Sequence, residues 1–240
     1  MSAPARLAAR QRLWVAETFA DTVQGEGPSI GAPAAFIRLS RCNLTCTWCD
    51  TPYTWDRSRF DLAAESRRAS AEELASWALG RPEELVVISG GEPLLQQRAL
   101  VPLARMLIEA GRRVEIETNA TYPPAAELAA SGACFNVSPK LAGSRVPSAL
   151  RIRPSVLEAF AALPTPRRVF KFVVTGLAEL DEVDRLVARH RLRPVWVMPE
   201  GTTPEKITHG LRELAEGAAT RGYRLGARLH VLLWGDERGR

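Results

Sequence analysis

Residues 85–119 read LVVISGGEPLLQQRALVPLARMLIEAGRRVEIETN. Two different periods follow one another in this stretch. Residues 85–88 and 113–116 are short apolar or β-branched runs, the pattern of buried strands. Between them Leu103, Met106, Leu107 and Ala110 recur at i, i+3, i+4 and i+7, one face of a helix that Gly111 stops. A strand, a helix and a second strand within about 30 residues form a βαβ unit, whose two strands run parallel.

The alternation continues outward in both directions. Residues 34–39, 134–137, 168–174, 195–197 and 229–233 read as further strands, bounded by Gly, Pro, Ser or Asn. Leu180, Val183, Leu186 and Val187 mark a second helix. Leu211, Leu214, Ala215 and Ala218 mark a third, with Pro204 in its first turn after the cap candidates Thr202 and Thr203. Residues 71–79 read as helix, with Ser70 and Glu73 spaced as a capping box. Residues 50–66 hold Pro52, Tyr53 and Trp55 among charges, fit neither period, and read as an irregular insert. With no repeat, low-complexity tract or linker, residues 1–240 read as one α/β domain. Strand–helix alternation leaves a doubly wound sheet or a full or partial barrel open.

Composition narrows the function classes. Of 240 residues 46% are hydrophobic and 25% charged, a globular mixture that excludes disorder as the overall state. A chain of this length buries a sizeable core without disulfides. No apolar run approaches the ~18 residues of a membrane span and no secretory signal pattern opens the chain, so a soluble, cytoplasmic protein without a membrane partner is expected. Residues 1–12 contain arginine and no acid; a frayed terminus is favoured over a transit peptide. The net charge is +5, and with only Lys140, Lys171 and Lys206 as lysines, 29 of the 32 cations are arginine. They are scattered and not interleaved with aromatics, so no nucleic-acid partner is expected.

Functional residues of parallel α/β folds gather where strands end. Residues 34–39 run into Cys42-x3-Cys46-x2-Cys49-Asp50-Thr51, and residues 85–88 into Ser89-Gly90-Gly91-Glu92-Pro93. The next strand ends are Glu117-Thr118-Asn119, Ser138-Pro139-Lys140 and Met198-Pro199-Glu200-Gly201. These clusters are expected to converge on one rim. Three cysteines within eight residues of a cytosolic chain read as a metal or catalytic site. They can wrap one face of a cubane iron–sulfur cluster and leave one iron open. Zinc is the weaker reading, because paired C-x2-C spacing is absent and His190, His209 and His230 show no ligand spacing. Cys134 reads as a small packed hydrophobe. Lys171, between two phenylalanines, reads equally as a structural ion or a substrate contact and is left out of the site. His230 reads as a structural histidine. Gly25-Glu26-Gly27 does not read as a dinucleotide loop, since it follows no clean strand and Pro28 interrupts the expected helix.

The cysteine run, with Ser89-Gly90-Gly91-Glu92-Pro93, resembles the signature of radical S-adenosylmethionine (SAM) enzymes. A narrower resemblance, from about Glu17 to the C-terminal Leu-His-Val-Leu-Leu-Trp-Gly, is to the 7-carboxy-7-deazaguanine synthases of 7-deazapurine and queuosine biosynthesis. Val23-Gln24-Gly25-Glu26-Gly27 before the first strand, Arg38 within it, and the strand-end clusters above carry it in order. The resemblance implies an incomplete parallel (β/α) barrel of about six strands. It implies conversion of 6-carboxy-5,6,7,8-tetrahydropterin to 7-carboxy-7-deazaguanine with loss of ammonia. By the same resemblance Cys42, Cys46 and Cys49 hold a [4Fe–4S] cluster, and Thr51 ligates Mg²⁺. SAM is met by Trp48, Asp50, Gly90, Gly91, Glu92, Ser138, Pro139, Lys140, Met198, Pro199, Glu200 and Gly201. The pterin is met by Val23, Gln24, Gly25, Glu26, Arg38 and Ser89. The implied partners are a flavodoxin- or ferredoxin-type electron donor and a second copy in a homodimer. Two rival readings are an activase that makes a glycyl radical on a partner protein, and a non-catalytic iron–sulfur or zinc module with Cys134 as fourth ligand.

Overall fold

The computed structural model describes residues 12–240; residues 1–11, with the frayed-terminus reading, lie outside the described residues. The strands are β1 (Leu13–Val23), β2 (Pro33–Leu39), β3 (Arg67–Ala69), β4 (Leu85–Gly90), β5 (Arg113–Thr118), β6 (Cys134–Val137), β7 (Arg168–Val174), β8 (Val195–Pro199) and β9 (Arg224–Leu225). The helices are α1 (Ala71–Leu79), α2 (Gln97–Glu109), α3 (Ala126–Ala130), α4 (Ser148–Arg151), α5 (Pro154–Ala161), α6 (Leu180–His190), α7 (Pro204–Thr220) and α8 (Leu229–Trp234).

All nine strands join one sheet in the order β3-β1-β2-β4-β5-β6-β7-β8-β9. The six from β2 to β8 in that order run parallel, as expected for the incomplete barrel. β1 and β3 add an antiparallel edge, and two-residue β9 extends the other side. β3 and β9 do not pair with each other, so the barrel stays open.

Strand alternation divides the sheet into two chemically distinct faces. Ile37 and Leu39, Val86 and Ile88, Val114 and Ile116, Phe170 and Phe172 pack outward against Leu103 and Leu107 of α2, Val183 of α6 and Leu214 of α7. Each such side chain contributes about 1.5–3 kcal/mol by leaving water. The intervening residues point inward. Arg38 and Ser89 are register partners there, and Glu117, Lys171 and Val173 share the same concave side. Helix α1 begins with the expected box: Glu73 N–H donates to Ser70 Oγ at 3.1 Å, and Ser70 N–H to the Glu73 carboxylate at 2.9 Å.

The structure corrects two readings. Residues 229–233 are not a strand; they lie in α8, which packs on α7 and donates Leu229 N–H to the Gly25 carbonyl at 2.8 Å. A short apolar run has no period that separates strand from helix. The Gln24-Gly25-Glu26-Gly27 motif does follow a strand, β1, whose register breaks between Val15 and Glu17 and between Phe19 and Thr22 obscure its alternation. A 3₁₀ turn, Gly27–Ser29, follows the motif, so the dinucleotide reading still fails. Residues 50–66 carry only turns and the 3₁₀ segment Pro52–Thr54.

Candidate active site

A cavity of about 510 Å³ opens at the carboxyl ends of the parallel strands, within the usual range for a small-molecule site. Cys42, Cys46 and Cys49 line it from the loop after β2, and none is disulfide-bonded. Leu44 and Val146 form a small buried cluster with Cys46, against which Cys42 and Cys49 pack. Leu44 N–H approaches Cys42 Sγ at 3.5 Å, and the Trp55 indole N–H donates to Cys49 Sγ at 3.3 Å. Burial pushes the Cys42 thiol up to about 12, so a bound cation is needed to hold it as thiolate at neutral pH. Among the described residues no three His, Cys, Asp or Glu side chains converge on a single-ion position. Three thiols on one loop too spread for one ion match a cubane face better than a zinc site. Cys134 stands at the start of β6, Sγ 3.5 Å from the Pro166 carbonyl, and is not on the cavity. That removes the module with Cys134 as fourth ligand.

The two glycines after β4 lock this loop in place. A Cβ on Gly90 would sit 2.0 Å from the Leu39 carbonyl oxygen, and one on Gly91 2.1 Å from that of Arg41. Gly91 N–H donates to Leu39 O at 3.0 Å and Glu92 N–H to Arg41 O at 2.8 Å. Their lack of side chains lets the end of β4 lie directly on the backbone leading into Cys42.

Opposite the cysteines runs a row of alternating charges. Lys171 Nζ, 1% exposed, bonds Glu26 at 2.8 Å and both oxygens of Glu117 at 3.0 Å. Arg228 bonds Glu26 at 3.0 Å, pairs with Asp50, and donates to the Gly201 carbonyl at 2.6 Å. The Gln24 amide donates to Glu117 at 3.2 Å. Burial pushes the Glu26 carboxyl up, but Lys171 and Arg228 overcome it and hold the group well below the usual carboxylate range. Burial likewise opposes charge on Lys171, and Glu117 with Glu26 more than reverses it. On the β2 side, Arg38 Nε bonds Glu17 at 2.6 Å, and Tyr53 OH donates to the same carboxylate oxygen at 2.7 Å.

Of the residues singled out in the sequence, Val23, Gln24, Gly25, Glu26, Arg38, Trp48, Asp50, Thr51, Ser89, Gly90, Gly91, Ser138 and Lys140 line this cavity with the three cysteines. Six do not. Glu92 is fully buried and accepts from Leu94 N–H at 2.9 Å, Thr118 Oγ at 2.9 Å and Asn119 N–H at 2.6 Å, tying β4 to β5. Pro139 lies outside the lining. So do Met198, Pro199, Glu200 and Gly201; the Gly201 carbonyl accepts from Arg228, which does line the cavity. Lys171, Arg228, His230 and Glu117 line it instead, as do residues 235–240.

The Radical SAM superfamily model matches residues 36–192. The chain is 37% identical over 238 residues to a 7-carboxy-7-deazaguanine synthase from Pyrobaculum aerophilum, covering 98% of this chain and 100% of that one. It is 33% identical to the one from Rhodopirellula baltica, covering 97% and 90%. It superposes on the crystal structure of QueE from Escherichia coli with a TM-score of 0.70 at 28% identity, covering 93% and 97%.

This chain belongs to the radical SAM superfamily and, within it, to the 7-carboxy-7-deazaguanine synthases.

Membership in the radical SAM superfamily implies a [4Fe–4S] cluster and SAM. The donor set fits both: three free thiols with N–H groups directed at sulfur, beside a cavity of mixed polar and aromatic lining. The chain carries its candidate chemistry at strand ends, yet the residues that order its charges have little local signal. Alternation in β7 exposes Lys171 as inward-facing. Nothing in the order of residues joins Arg228 to Asp50, 178 positions away.

Proposed function

We propose that this enzyme converts 6-carboxy-5,6,7,8-tetrahydropterin to 7-carboxy-7-deazaguanine with loss of ammonia, in 7-deazapurine biosynthesis. The supporting observation is the row Glu117–Lys171–Glu26–Arg228–Asp50 facing the three cysteines across one cavity. When bound, the cluster and SAM supply the hydrogen-abstracting radical that starts the rearrangement.

The chain's own residues bind and orient. Glu26, held ionised by Lys171 and Arg228, accepts hydrogen bonds from the N–H edge of the pterin, and Gln24 and the Gly25 backbone complete that edge. Glu17 occupies Nε of Arg38. The remaining fork of the guanidinium is left to pair bidentately with the substrate carboxylate. Ser89, its register partner, offers a hydroxyl to the same region. Gly90, Gly91, Trp48, Ser138 and Lys140 border SAM, with Lys140 Nζ 5.8 Å from the centre of the Trp48 ring and 2.9 Å from Ser138 Oγ. Thr51 lines the cavity with its hydroxyl 3.7 Å from Cys49 Sγ. It would give Mg²⁺ one oxygen, and the substrate carboxylate and water would fill a shell that needs about six. The ion pairs fix these charges before substrate arrives, and such preorganised groups hold it more strongly than mobile ones would. A flavodoxin- or ferredoxin-type donor supplies electrons, and a homodimer is the proposed assembly.

Anaerobic incubation of the reconstituted enzyme with the pterin acid, SAM and reductant, followed by mass spectrometry, tests this. 7-Carboxy-7-deazaguanine with little net SAM consumption is expected. Release of 5′-deoxyadenosine without the deazaguanine would reject the reaction and favour a different radical substrate.

A further inference from the structure

The cysteine loop has two sides. Its inner side lines the cavity, while Asn43, Thr45 and Thr47 are exposed on the outer one. Thr47 N–H donates to the Ser144 carbonyl at 3.1 Å, and Val146 packs on Leu44 and Cys46. Residues 144–146 therefore lie directly against the cysteine loop. Arg145 between them is exposed and held in left-handed backbone at φ 60°.

This rim contains no acid. Residues 40–49 and 139–153 hold four arginines and one lysine but not a single Asp or Glu. The nearby carboxylates are already engaged: Glu179 accepts from Gly143 N–H at 2.6 Å, and Glu182 from Ala142 N–H at 2.9 Å and Arg151 at 2.7 Å. On the other flank Arg41, immediately before Cys42, stacks over Trp14 at 4.5 Å and lies near enough to Arg57 to be repelled by it. No carboxylate among the described residues pairs with Arg57 or Arg145. Just after Arg145 the chain exposes Pro147, Ala149 and Leu150, the last at 51%, with Ser148 among them.

We propose that this acid-free rim, residues 41–47 and 145–150 with Arg57, docks a small acidic electron-carrier protein. The inference deepens the function above, since it takes the cysteine loop to hold a cluster that must be reduced. With substrate and SAM on the inner side, an electron arrives from outside, and tunnelling falls steeply with distance. The Thr47 N–H bond to the Ser144 carbonyl sets Arg145 beside the outer side of the cysteine loop, and Arg41 stands at the loop's start. Unpaired cations beside a small apolar patch steer an acidic partner and orient it, an effect that weakens as salt rises.

The test compares holoenzyme and the doubly reversed variant Arg57→Glu/Arg145→Glu with two reductants, dithionite and reduced flavodoxin. With dithionite the variant should stay within about twofold of wild type; with flavodoxin it should fall by about tenfold or more, and only wild type should slow as salt is added. Flavodoxin-driven turnover at the wild-type rate in low salt would overturn the docking face. An equal fall with dithionite would also overturn it, by showing that the rim serves the site itself. Calorimetric binding of flavodoxin to both proteins reads docking independently of product. Weaker binding to the variant supports the rim even should the wild-type enzyme make no deazaguanine, and unchanged binding rejects it.

Discussion

A methyl group on Gly25 would lie 1.9 Å from Nδ1 of His230, so glycine alone lets that imidazole stand against the backbone beneath the cavity. The neighbouring Leu229 N–H bonds the Gly25 carbonyl at 2.8 Å and fixes the pair from the other side. Gly25→Ala should push α8 and His230 off the cavity wall, costing about 1–3 kcal/mol of stability and raising KM for the pterin. Adding His230→Ala should recover part of the lost stability, because the clashing ring is gone. A double-mutant cycle by urea denaturation checks this: additive losses would mean the two positions do not meet.

Lys171 sits between two carboxylates with 1% of its surface exposed. Removing its charge in Lys171→Met leaves Glu117 without a cation and Glu26 with Arg228 alone, and should cost about 3–5 kcal/mol. The pH dependence carries the signature. In the wild type Glu26 is depressed, so its contribution is present above its unfolded pKa and lost only as pH falls below it. Lys171 is raised, so its contribution is present below its unfolded pKa and lost only as pH rises through the folded one. Stability from this row should therefore be flat between about pH 5.5 and 9.5. In the variant Glu26 keeps Arg228 but loses Lys171, so its carboxyl climbs from its depressed position and less stability should be lost as pH falls from about 5.5 to about 3. Urea midpoints across that range distinguish the two slopes.

The same residues mark what the amino-acid order discloses. Strands β2 and β4 to β8 are legible because each is an apolar run closed by Gly, Pro, Ser or Asn. The capping box at Ser70 and Glu73 is local and therefore visible. Lys171 shows as inward-facing through its phenylalanine neighbours, yet its partners lie 54 and 145 positions away, and only the sheet brings them together. Arg228 has no local signal, since its carboxylates are 178 and 202 positions distant. The strand reading of residues 229–233 fails for a related reason: a six-residue apolar element takes its form from the neighbours it packs against.

Glu92 separates motif from geometry. Its position in the Gly-Gly-Glu-Pro run suggests a partner for the SAM ammonium, while its buried carboxylate already accepts from Leu94, Thr118 and Asn119. Glu92→Gln puts an amide donor against these donors and should cost about 1–3 kcal/mol. Affinity for SAM, measured by equilibrium dialysis on the reconstituted variant, should stay within about threefold of wild type, less than the loss of a charge-assisted bond would give. A loss of two orders of magnitude would return the carboxylate to the cofactor.

Gly91 carries the opposite expectation. A Cβ there would meet the Arg41 carbonyl oxygen at 2.1 Å and the Cys42 nitrogen at 2.9 Å, and both are backbone atoms that no side-chain motion can move aside. Gly91→Ala must displace the loop that carries the first cysteine. Anaerobic reconstitution should then yield much less iron and sulfide per chain, with a stability loss of about 1–3 kcal/mol. Gly80→Ala is the matched control. Its nearest contact is 3.5 Å and its φ is −75°, so full iron content is expected.

Cys134 tests whether three sulfurs suffice. It opens β6, while Cys42, Cys46 and Cys49 follow the end of β2; the strands between them are all parallel, so the two groups lie toward opposite ends of the sheet. No rotamer of Cys134 reaches across. Cys134→Ser should keep the iron and sulfide content of wild type and the spectral change on adding SAM. Replacing Cys42, Cys46 or Cys49 with serine should abolish both, since a cubane bound by two thiolates leaves two irons without protein ligands. Iron loss in Cys134→Ser with no loss of folded protein would mean that a fourth protein sulfur closes the cluster, leaving no open iron for SAM.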